Sequence, residues 1–489
     1  MLIDALVTFA NKPYASDWPD EASKCFEDLW AGEKPRYPVK TGKAVAIRAP
    51  KGLENGVPFA ALIHPNSAAS GAYGGMSFVL FPVKDAPSLI ALVVGTQGLS
   101  PDEEILGRPG HARKAQAICR WLSNRSRDKP ALAWSKADPT RVDQTVPNTV
   151  TMSLDRYSSV FDRYGKVIYA FFQINDDKAL TRAALVALLD MVFDERGIAP
   201  LASSKGEFEE LRGEWMSHLL PSVSEGDVVS VLQNRRHVIL AGPPGTGKTR
   251  MALSLLRGHF GGNGLTVQFH PNTTYENLVG GLAPQLTSSA LGLSFVPRAG
   301  YLLRATEMAA KDTSRPYVLH IDEINRADLS KILGEAIFAL EPDDDVARSV
   351  ELAYDFAEIG GRTLSLPANL HLLGTMNTAD KSIAPIDLAV RRRFAFVNMW
   401  PQFSVIKETA CPIMIDAFER LQTIFVEHAS DEAFDLMPGH SYFLERDEAV
   451  AAERLRTTVG ALLREYLSQG YVAGFAPDIR AYLQWLESM

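Results

Sequence analysis

The fold of the second half of this chain is decided by one stretch, Gly242-Pro243-Pro244-Gly245-Thr246-Gly247-Lys248-Thr249. It fits the pattern Gly-x-x-x-x-Gly-Lys-[Ser/Thr] at every fixed position, and it lies between an apolar run over 238–241 and a helical pattern over 248–260. Glycines in such a loop let backbone N–H groups surround a phosphate, and the N-terminus of the next helix attracts the anion. The stretch therefore predicts a nucleotide site, in which Lys248 contacts the β and γ phosphates and Thr249 ligates Mg²⁺.

A second stretch, Tyr317-Val318-Leu319-His320-Ile321-Asp322-Glu323, is typical of a buried strand that ends in two carboxylates. In the same sheet as the phosphate loop, Asp322 is expected to hold the Mg²⁺ ion through water. Glu323 is expected to act as the general base on the attacking water. The alternative is a pair of exposed acidic residues at the end of a strand.

Polar residues also follow a third apolar run, over 370–376. Asn377 lies at the carboxyl end of this predicted strand, where ligands bind in open α/β sheets, and its amide could orient the attacking water. Three arginines, Arg391, Arg392 and Arg393, come after the next apolar segment. They are either a solvated helix end or the source of an arginine that enters a neighbouring subunit's site.

Strand-like and helix-like segments alternate from residue 227 onward, which predicts an α/β fold with a parallel sheet covered by helices. The predicted strands of this half are 238–241, 266–269, 317–321, 370–376 and 394–398. The predicted helices between them are 248–260, 301–311 and 329–340. The last ninety or so residues are helix-like, most clearly over 447–467. The first half is predicted as mixed α and β, with strands near 59–64, 76–83 and 89–94, helices over 112–124 and 180–193, and a loop over 128–148.

These motifs, in this order, resemble those of AAA+ nucleotide hydrolases. Their amino-acid sequences resemble those of McrB-type proteins in particular. The resemblance covers residues from about 205 to 489 and rests on five segments, 268–277, 321–331, 376–382, 391–396 and 439–443. One departure is Lys381, where the family commonly has Arg. The resemblance implies three domains: an N-terminal recognition domain over 1–200, a AAA+ P-loop domain over 205–400 and a helical lid over 401–489.

The resemblance further implies a hexameric ring with each nucleotide at a subunit interface. Such rings work with a McrC-like partner that stimulates hydrolysis and carries the nuclease, and the complex acts on foreign, often modified, DNA. By the resemblance, Asn377 corresponds to the sensor residue of the nucleotide site, and Asp380 helps to organise the signature loop. Arg391 and Arg392 become the candidates for the residue that acts in the neighbouring subunit, and Arg393 becomes structural.

Two properties of the nucleotide site remain open in the sequence. The phosphate loop contacts phosphates and not the base, so the chain could use GTP or ATP. Met437 and Pro438 stand before Gly439, where the family often has a basic residue, so a lid cation on the γ-phosphate is doubtful at this position. A related alternative is a MoxR-type AAA+ chaperone that remodels a protein client.

The first 200 residues carry a small positive balance, although the whole chain has a net charge of -8. A basic segment over 108–129 predicts a DNA-contacting helix with Trp121 available for stacking. Its candidate contact residues are Arg113, Lys114, Arg120, Arg125 and Arg127. The alternatives are a solvated helix that flanks the core or a surface for a protein partner. No nuclease-like Asp/Glu-x-Lys constellation stands out in this half, so DNA cleavage by this chain itself is not expected.

Composition restricts the class of protein. Hydrophobic residues make up 46% and charged residues 22%, which is ordinary for globular proteins. Apolar runs are far shorter than the ~20 residues of a membrane helix. Three widely separated cysteines exclude a disulfide scaffold and favour a reducing, cytoplasmic location.

Overall fold

The computed structural model describes residues 2–51, 56–68, 70–125, 132–286, 293–341, 348–380 and 386–489. The chain forms two compact units. Unit 1 comprises 1–220 and 426–430, and unit 2 comprises 221–425 and 431–489. The helix over 202–219 belongs to unit 1, because its Trp215 packs into the hydrophobic core of that unit. The boundary expected from the sequence at residue 205 lies inside this helix, whereas the structure places the boundary after Leu220.

Unit 1 is built on a six-stranded sheet in which every neighbouring pair is antiparallel. Its strands, in the spatial order β1-β2-β3-β4-β6-β5, are β1 (Ala46–Arg48), β2 (Ala60–Ile63), β3 (Met76–Val83), β4 (Ala86–Val94), β5 (Ala133–Ser135) and β6 (Ile168–Gln173). The helices of this unit are α1 (Leu2–Ala10), α2 (Trp18–Ala31), α3 (Glu103–Leu106), α4 (Pro109–Arg125), α5 (Asn148–Thr151), α6 (Ser158–Tyr164), α7 (Lys178–Asp194) and α8 (Ala202–Leu219).

Both faces of this sheet are covered by hydrophobic side chains. Alternate residues of β3, such as Phe78 and Val79, belong to two different core clusters. One cluster includes side chains of α1, α2, α4 and α7, and the other includes Val160 and Phe161 of α6. Because both faces are covered, the inner strands β2, β3, β4 and β6 are buried at nearly every position and do not alternate, whereas β1 and β5 are half-buried.

Unit 2 contains a five-stranded sheet in which every neighbouring pair is parallel. Its strands, in the spatial order β15-β7-β14-β11-β8, are β7 (His237–Gly242), β8 (Gly264–Gln268), β11 (Tyr317–Asp322), β14 (Leu370–Asn377) and β15 (Ala395–Asn398). Two antiparallel hairpins lie outside this sheet and consist of β9 (Gly280–Leu286) with β10 (Leu293–Ala299) and β12 (Ser349–Phe356) with β13 (Gly361–Ser365).

The helices of unit 2 precede, separate and follow these strands in the chain and continue to its end. They are α9 (Glu225–Arg235), α10 (Lys248–Arg257), α11 (Tyr275–Leu278), α12 (Tyr301–Lys311), α13 (Leu329–Leu333), α14 (Leu388–Arg391), α15 (Phe403–Thr409), α16 (Pro412–His428), α17 (Asp431–Phe434), α18 (Glu448–Thr457), α19 (Val459–Ser468) and α20 (Ala476–Ser488). Among the described residues, no helix is long and apolar enough to cross a membrane.

The register of the parallel sheet aligns the carboxyl ends of its strands. Asn377 of β14 pairs with Gly242 of β7, and Gly374 pairs with Ile321 of β11. Asp322, the last residue of β11, therefore lies beside Thr375, and the phosphate loop begins at the same edge. The predicted nucleotide-binding residues are in this way collected at one edge of the sheet.

Four local features differ from the sequence-based expectations. The helix predicted over 329–340 is α-helical only to Leu333 and then becomes 3₁₀, because Gly334 adopts a φ of +50°. The helix predicted over 447–467 is divided into α18 and α19 at Thr458. The loop predicted over 128–148 contains β5, a short edge strand held by its pairing with β6. The two hairpins were not predicted.

Candidate active site

The phosphate loop has the backbone that its glycines predict. Gly242, Gly245 and Gly247 have φ values of +156°, +81° and +84°. A Cβ atom on Gly245 would lie 2.6 Å from the Ser441 hydroxyl oxygen, so the loop has no room for a side chain there. Helix α10 begins at Lys248, directly after the loop. The loop thus ends at the positive end of a helix, which is the usual arrangement for binding a phosphate.

Lys248 lies inside the loop, with 6% of the residue exposed. Its ammonium group donates hydrogen bonds to the carbonyl oxygens of Gly242, at 2.9 Å, and Pro243, at 2.6 Å. Burial lowers the pKa of Lys248 to about 8, against the opposing attraction of Glu323 and Asp322. An anionic ligand that binds beside this buried ammonium group stabilises its charged form.

Asp322 is fixed by two hydroxyl groups. Its Oδ1 atom accepts hydrogen bonds from Thr249, at 2.8 Å, and from Thr375, at 2.6 Å. Hydroxyl and carboxylate oxygens are the ligands that Mg²⁺ prefers. Thr249 and Asp322 therefore fit the predicted metal-binding role by the chemistry of their donor atoms.

Glu323 follows β11 in an unusual conformation. Its φ of +53° lies in the left-handed region, which costs about 1 to 2 kcal/mol for a residue other than glycine. The Asn377 amide donates to its Oε1 atom at 2.6 Å. Burial raises the pKa of Glu323, and the Asp322 and Asp380 carboxylates add to this shift, whereas Arg326 and Lys248 oppose it. A raised pKa and a fixed carboxylate suit a group that accepts a proton.

Two further polar residues belong to this cluster and had no assigned role in the sequence analysis. The Asn325 amide donates to the backbone carbonyl of Asn377 at 3.2 Å. Within the described part of the chain, Asn325 Oδ1 and Glu323 Oε2 are buried oxygen atoms that have no hydrogen-bond partner. Thr375 joins Asp322 to the backbone of Glu323. The signals in the sequence were an asparagine two residues after Glu323 and a hydroxyl inside an otherwise apolar strand.

The arginines after α14 differ in exposure. Arg391 is exposed, and its guanidinium carbon lies 5.2 Å from the centre of the Phe396 ring. The side chain of Arg392 is 62% exposed and lies 3.4 Å from the Glu341 carboxylate. Arg393 is buried, bonded to the same carboxylate at 3.0 Å and to the carbonyl of Ala389 at 2.7 Å. Only the first two are therefore accessible to another molecule.

The lid segment packs directly onto the phosphate loop. The Gly439 N–H donates to the Pro244 carbonyl at 2.9 Å, and the Ser441 N–H donates to the Gly245 carbonyl at 3.0 Å. Met437 stands where the family often has a basic residue, and it is fully buried. The lid therefore contacts the loop through backbone groups at this point.

The basic helix of unit 1, α4, does not present all its cations to solvent. Arg113 and Lys114 are buried, and Lys114 forms an ion pair with Glu195 at 2.5 Å. Trp121 is buried as well, so it is not available to stack on a base. The prediction of DNA contact is corrected at these three positions. Arg113 donates to the carbonyls of Val426 and Ala429, Lys114 is paired with carboxylates, and Trp121 belongs to the core. Arg120 and Arg125 are exposed, and Arg127 lies outside the described residues.

The parallel sheet, the phosphate loop and the paired carboxylates define a nucleoside triphosphatase of the AAA+ class. The AAA domain (dynein-related subfamily) matches residues 237–394. The chain is 29% identical over 354 residues to the type IV methyl-directed restriction enzyme EcoKMcrB subunit of Escherichia coli K12. The alignment covers 66% of this chain and 75% of that protein. It is also 29% identical over 195 residues to the type II restriction enzyme BsuMI component YdiS of Bacillus subtilis 168. That alignment covers 33% of this chain and 56% of that protein. Residues 237–394 therefore match a AAA domain, and the chain is similar to McrB-type AAA+ proteins.

Proposed function

We propose that this chain is the motor subunit of a McrBC-like restriction or anti-phage defence complex, and that it hydrolyses GTP or ATP with Mg²⁺. The observation that carries the proposed hydrolysis is the hydrogen bond from Asn377 to Glu323, at the sheet edge where the phosphate loop begins. Both curated relatives are components of restriction enzymes, which favours this role over a MoxR-type chaperone.

The residues at this edge divide the work of hydrolysis. Lys248 and the N–H groups of the loop bind the phosphates, and Thr249 and Asp322 hold Mg²⁺, which neutralises phosphate charge when bound. Glu323 accepts the proton of the attacking water, and Asn377 keeps the Glu323 carboxylate in place. Burial is the main cause of the raised pKa of Glu323, and the Asp380 carboxylate adds to it through its charge.

We propose that the functional form is a hexameric ring. Arg391 and Arg392 are exposed at the end of α14, and an arginine from a neighbouring subunit stabilises transition-state charge in related hydrolases. Arg393 is bonded to Glu341 and Ala389, so it is assigned a structural role. Cleavage is assigned to a McrC-like nuclease subunit that also stimulates hydrolysis.

Unit 1 is proposed to recognise DNA through a surface that includes Arg120 and Arg125. Modified DNA is the substrate class that the resemblance implies. Both arginines are exposed on α4. Arg125 also pairs with Glu214 at 2.6 Å, which reduces the charge it offers to a phosphate. Cys25, Cys119 and Cys411 are free thiols, which fits the proposed cytoplasmic location.

Steady-state hydrolysis of GTP and of ATP by the purified full chain tests the proposal. It is measured with Mg²⁺ and with a chelator, while light scattering follows the mass of the assembly. We expect hydrolysis that requires Mg²⁺ and an increase in mass when nucleotide is present. A Lys248→Ala variant purified in parallel controls for contaminating hydrolases. Absence of hydrolysis of both nucleotides would contradict the proposal, and a strong preference for ATP would weaken the restriction role.

A further inference from the structure

Thr375 connects two functional residues of the proposed site. It lies near the carboxyl end of β14, between β7 and β11, and only 2% of it is exposed. Its hydroxyl donates a hydrogen bond to Asp322 Oδ1 at 2.6 Å and accepts one from the backbone N–H of Glu323 at 3.1 Å. One hydroxyl group thus contacts the metal-binding carboxylate and the backbone of the general base.

The chemistry of a hydroxyl explains why threonine suits this position. A hydroxyl has one hydrogen to donate and lone pairs to accept, so it can satisfy a carboxylate oxygen and an N–H at once. Valine has the same shape and can do neither. Serine can do both but lacks the methyl group that packs in a strand.

The neighbouring contacts show what this hydroxyl holds in place. Asp322 Oδ1 has a second donor in Thr249, so the two hydroxyls together fix the orientation of the carboxylate. Glu323 has a φ of +53°, and its N–H is held by Thr375 while its carboxylate is held by Asn377. The turn that aims Glu323 therefore depends on contacts from β14 at both its backbone and its side chain.

We propose that Thr375 is a positioning residue for hydrolysis, which orients Asp322 toward Mg²⁺ and holds the turn at Glu323. This inference rests on the proposed function, because it assigns a role in the same site. Thr375 need not contact the substrate, since it acts through the Asp322 carboxylate and the backbone N–H of Glu323. Removing its hydroxyl leaves the part-buried N–H of Glu323 without this acceptor and removes one of the two hydroxyls that orient Asp322.

The test compares three variants of the full chain, Thr375→Val, Thr375→Ser and Thr306→Val. Thr306 is a matched control on α12, because it is a buried threonine of the same unit whose hydroxyl has no hydrogen-bond partner among the described residues. We measure kcat and KM for the preferred nucleotide. We also measure the Mg²⁺ concentration that gives half-maximal binding of a fluorescent nucleotide, and the melting temperature.

We expect Thr375→Val to lower kcat by about 10- to 100-fold and to raise the half-maximal Mg²⁺ concentration by about tenfold, as for other residues that orient metal ligands. KM at saturating Mg²⁺ should change by less than about threefold, because the phosphate loop is intact. Thr375→Ser should restore most of the kcat and of the Mg²⁺ affinity. Thr306→Val should resemble the wild type in both.

Three outcomes separate the possible failures. Wild-type kcat and Mg²⁺ dependence in Thr375→Val would overturn the inference. Equal losses of melting temperature and activity in Thr375→Val and Thr306→Val would also overturn it, because the role would then be structural. If the wild-type chain hydrolyses neither GTP nor ATP, the proposed function fails, and the Mg²⁺ dependence of nucleotide binding alone decides whether Thr375 positions Asp322.

Discussion

Lys248 in unit 2 and Lys114 in unit 1 are both buried, with 6% and 5% of the residue exposed, but their surroundings differ. The ammonium group of Lys248 donates to carbonyl oxygens of the phosphate loop. Burial lowers its pKa to about 8. Lys114 lies 2.5 Å from the Glu195 carboxylate, which also bonds to His111 at 2.7 Å. Burial alone would raise the pKa of Glu195, but His111 and Lys114 lower it to about 2.

This difference separates a binding site from a scaffold. A buried cation that is held by neutral carbonyls retains its attraction for an anionic ligand. A buried cation with a carboxylate at contact distance has its charge compensated by the fold, and removing one partner destabilises the protein. The same residue type therefore points to function in unit 2 and to stability in unit 1.

The largest effect is expected for Glu323→Gln. Removing a general base lowers the rate by about 100- to 10,000-fold, whereas the phosphate loop and nucleotide affinity should be unaffected. The measurement is kcat by steady-state hydrolysis together with the dissociation constant of a fluorescent nucleotide. Glu276→Gln, at an exposed acidic residue of the same unit, serves as the control. Unchanged turnover in Glu323→Gln would refute the assignment of the base.

Lys248→Ala should weaken nucleotide binding by about 100-fold or more, since the variant loses a buried charge at the phosphates. Isothermal titration at pH 7 measures this change, and Lys311→Ala, at an exposed lysine of α12, is the control. The wild type should also lose nucleotide affinity as pH rises through about 8, because Lys248 of the nucleotide-free protein then loses its proton and its charge. Retained affinity in Lys248→Ala would contradict the comparison with Lys114.

Glu195→Gln should destabilise unit 1 by about 3 kcal/mol, because Lys114 becomes a buried cation with weaker compensation. Since folding lowers the pKa of Glu195 from 4.5 to about 2, its contribution is present above pH 4.5 and disappears as pH falls through about 2. Urea denaturation of the full chain at several pH values measures this. Glu209→Gln, in an exposed pair with Lys205, is the control. Equal stability of the two variants would refute a scaffold role.

The smallest effect is expected at the exposed arginines of α4. Arg120→Ala and Arg125→Ala should each weaken DNA binding modestly and reduce the slope of its salt dependence by about 1, if each contacts one phosphate. Fluorescence anisotropy of the full chain with duplex DNA at several salt concentrations measures both. Arg141→Ala, at another exposed arginine of unit 1, is the control. Identical salt slopes in all variants would remove α4 from the proposed DNA surface.

Much of unit 2 was predictable because its signals are local. A run such as His237–Gly242 is apolar and short, and the glycines after it permit the φ values that the loop requires. The hairpins were missed, because strands such as β9 are defined by pairing with β10 and leave apolar residues such as Leu286 exposed. In unit 1, the charge of α4 was visible, but the direction of each side chain was not.

The sequence by itself determined the phosphate loop, the order of strands and helices around it, and the residues that end those strands. These properties depend on the chemistry and spacing of nearby residues. Only the tertiary structure decided that Thr375 joins Asp322 to Glu323, that Arg393 is buried while Arg391 is exposed, and that Lys114 is paired with Glu195. Such contacts join residues that are distant in the chain, so they depend on sheet register and helix packing rather than on local sequence.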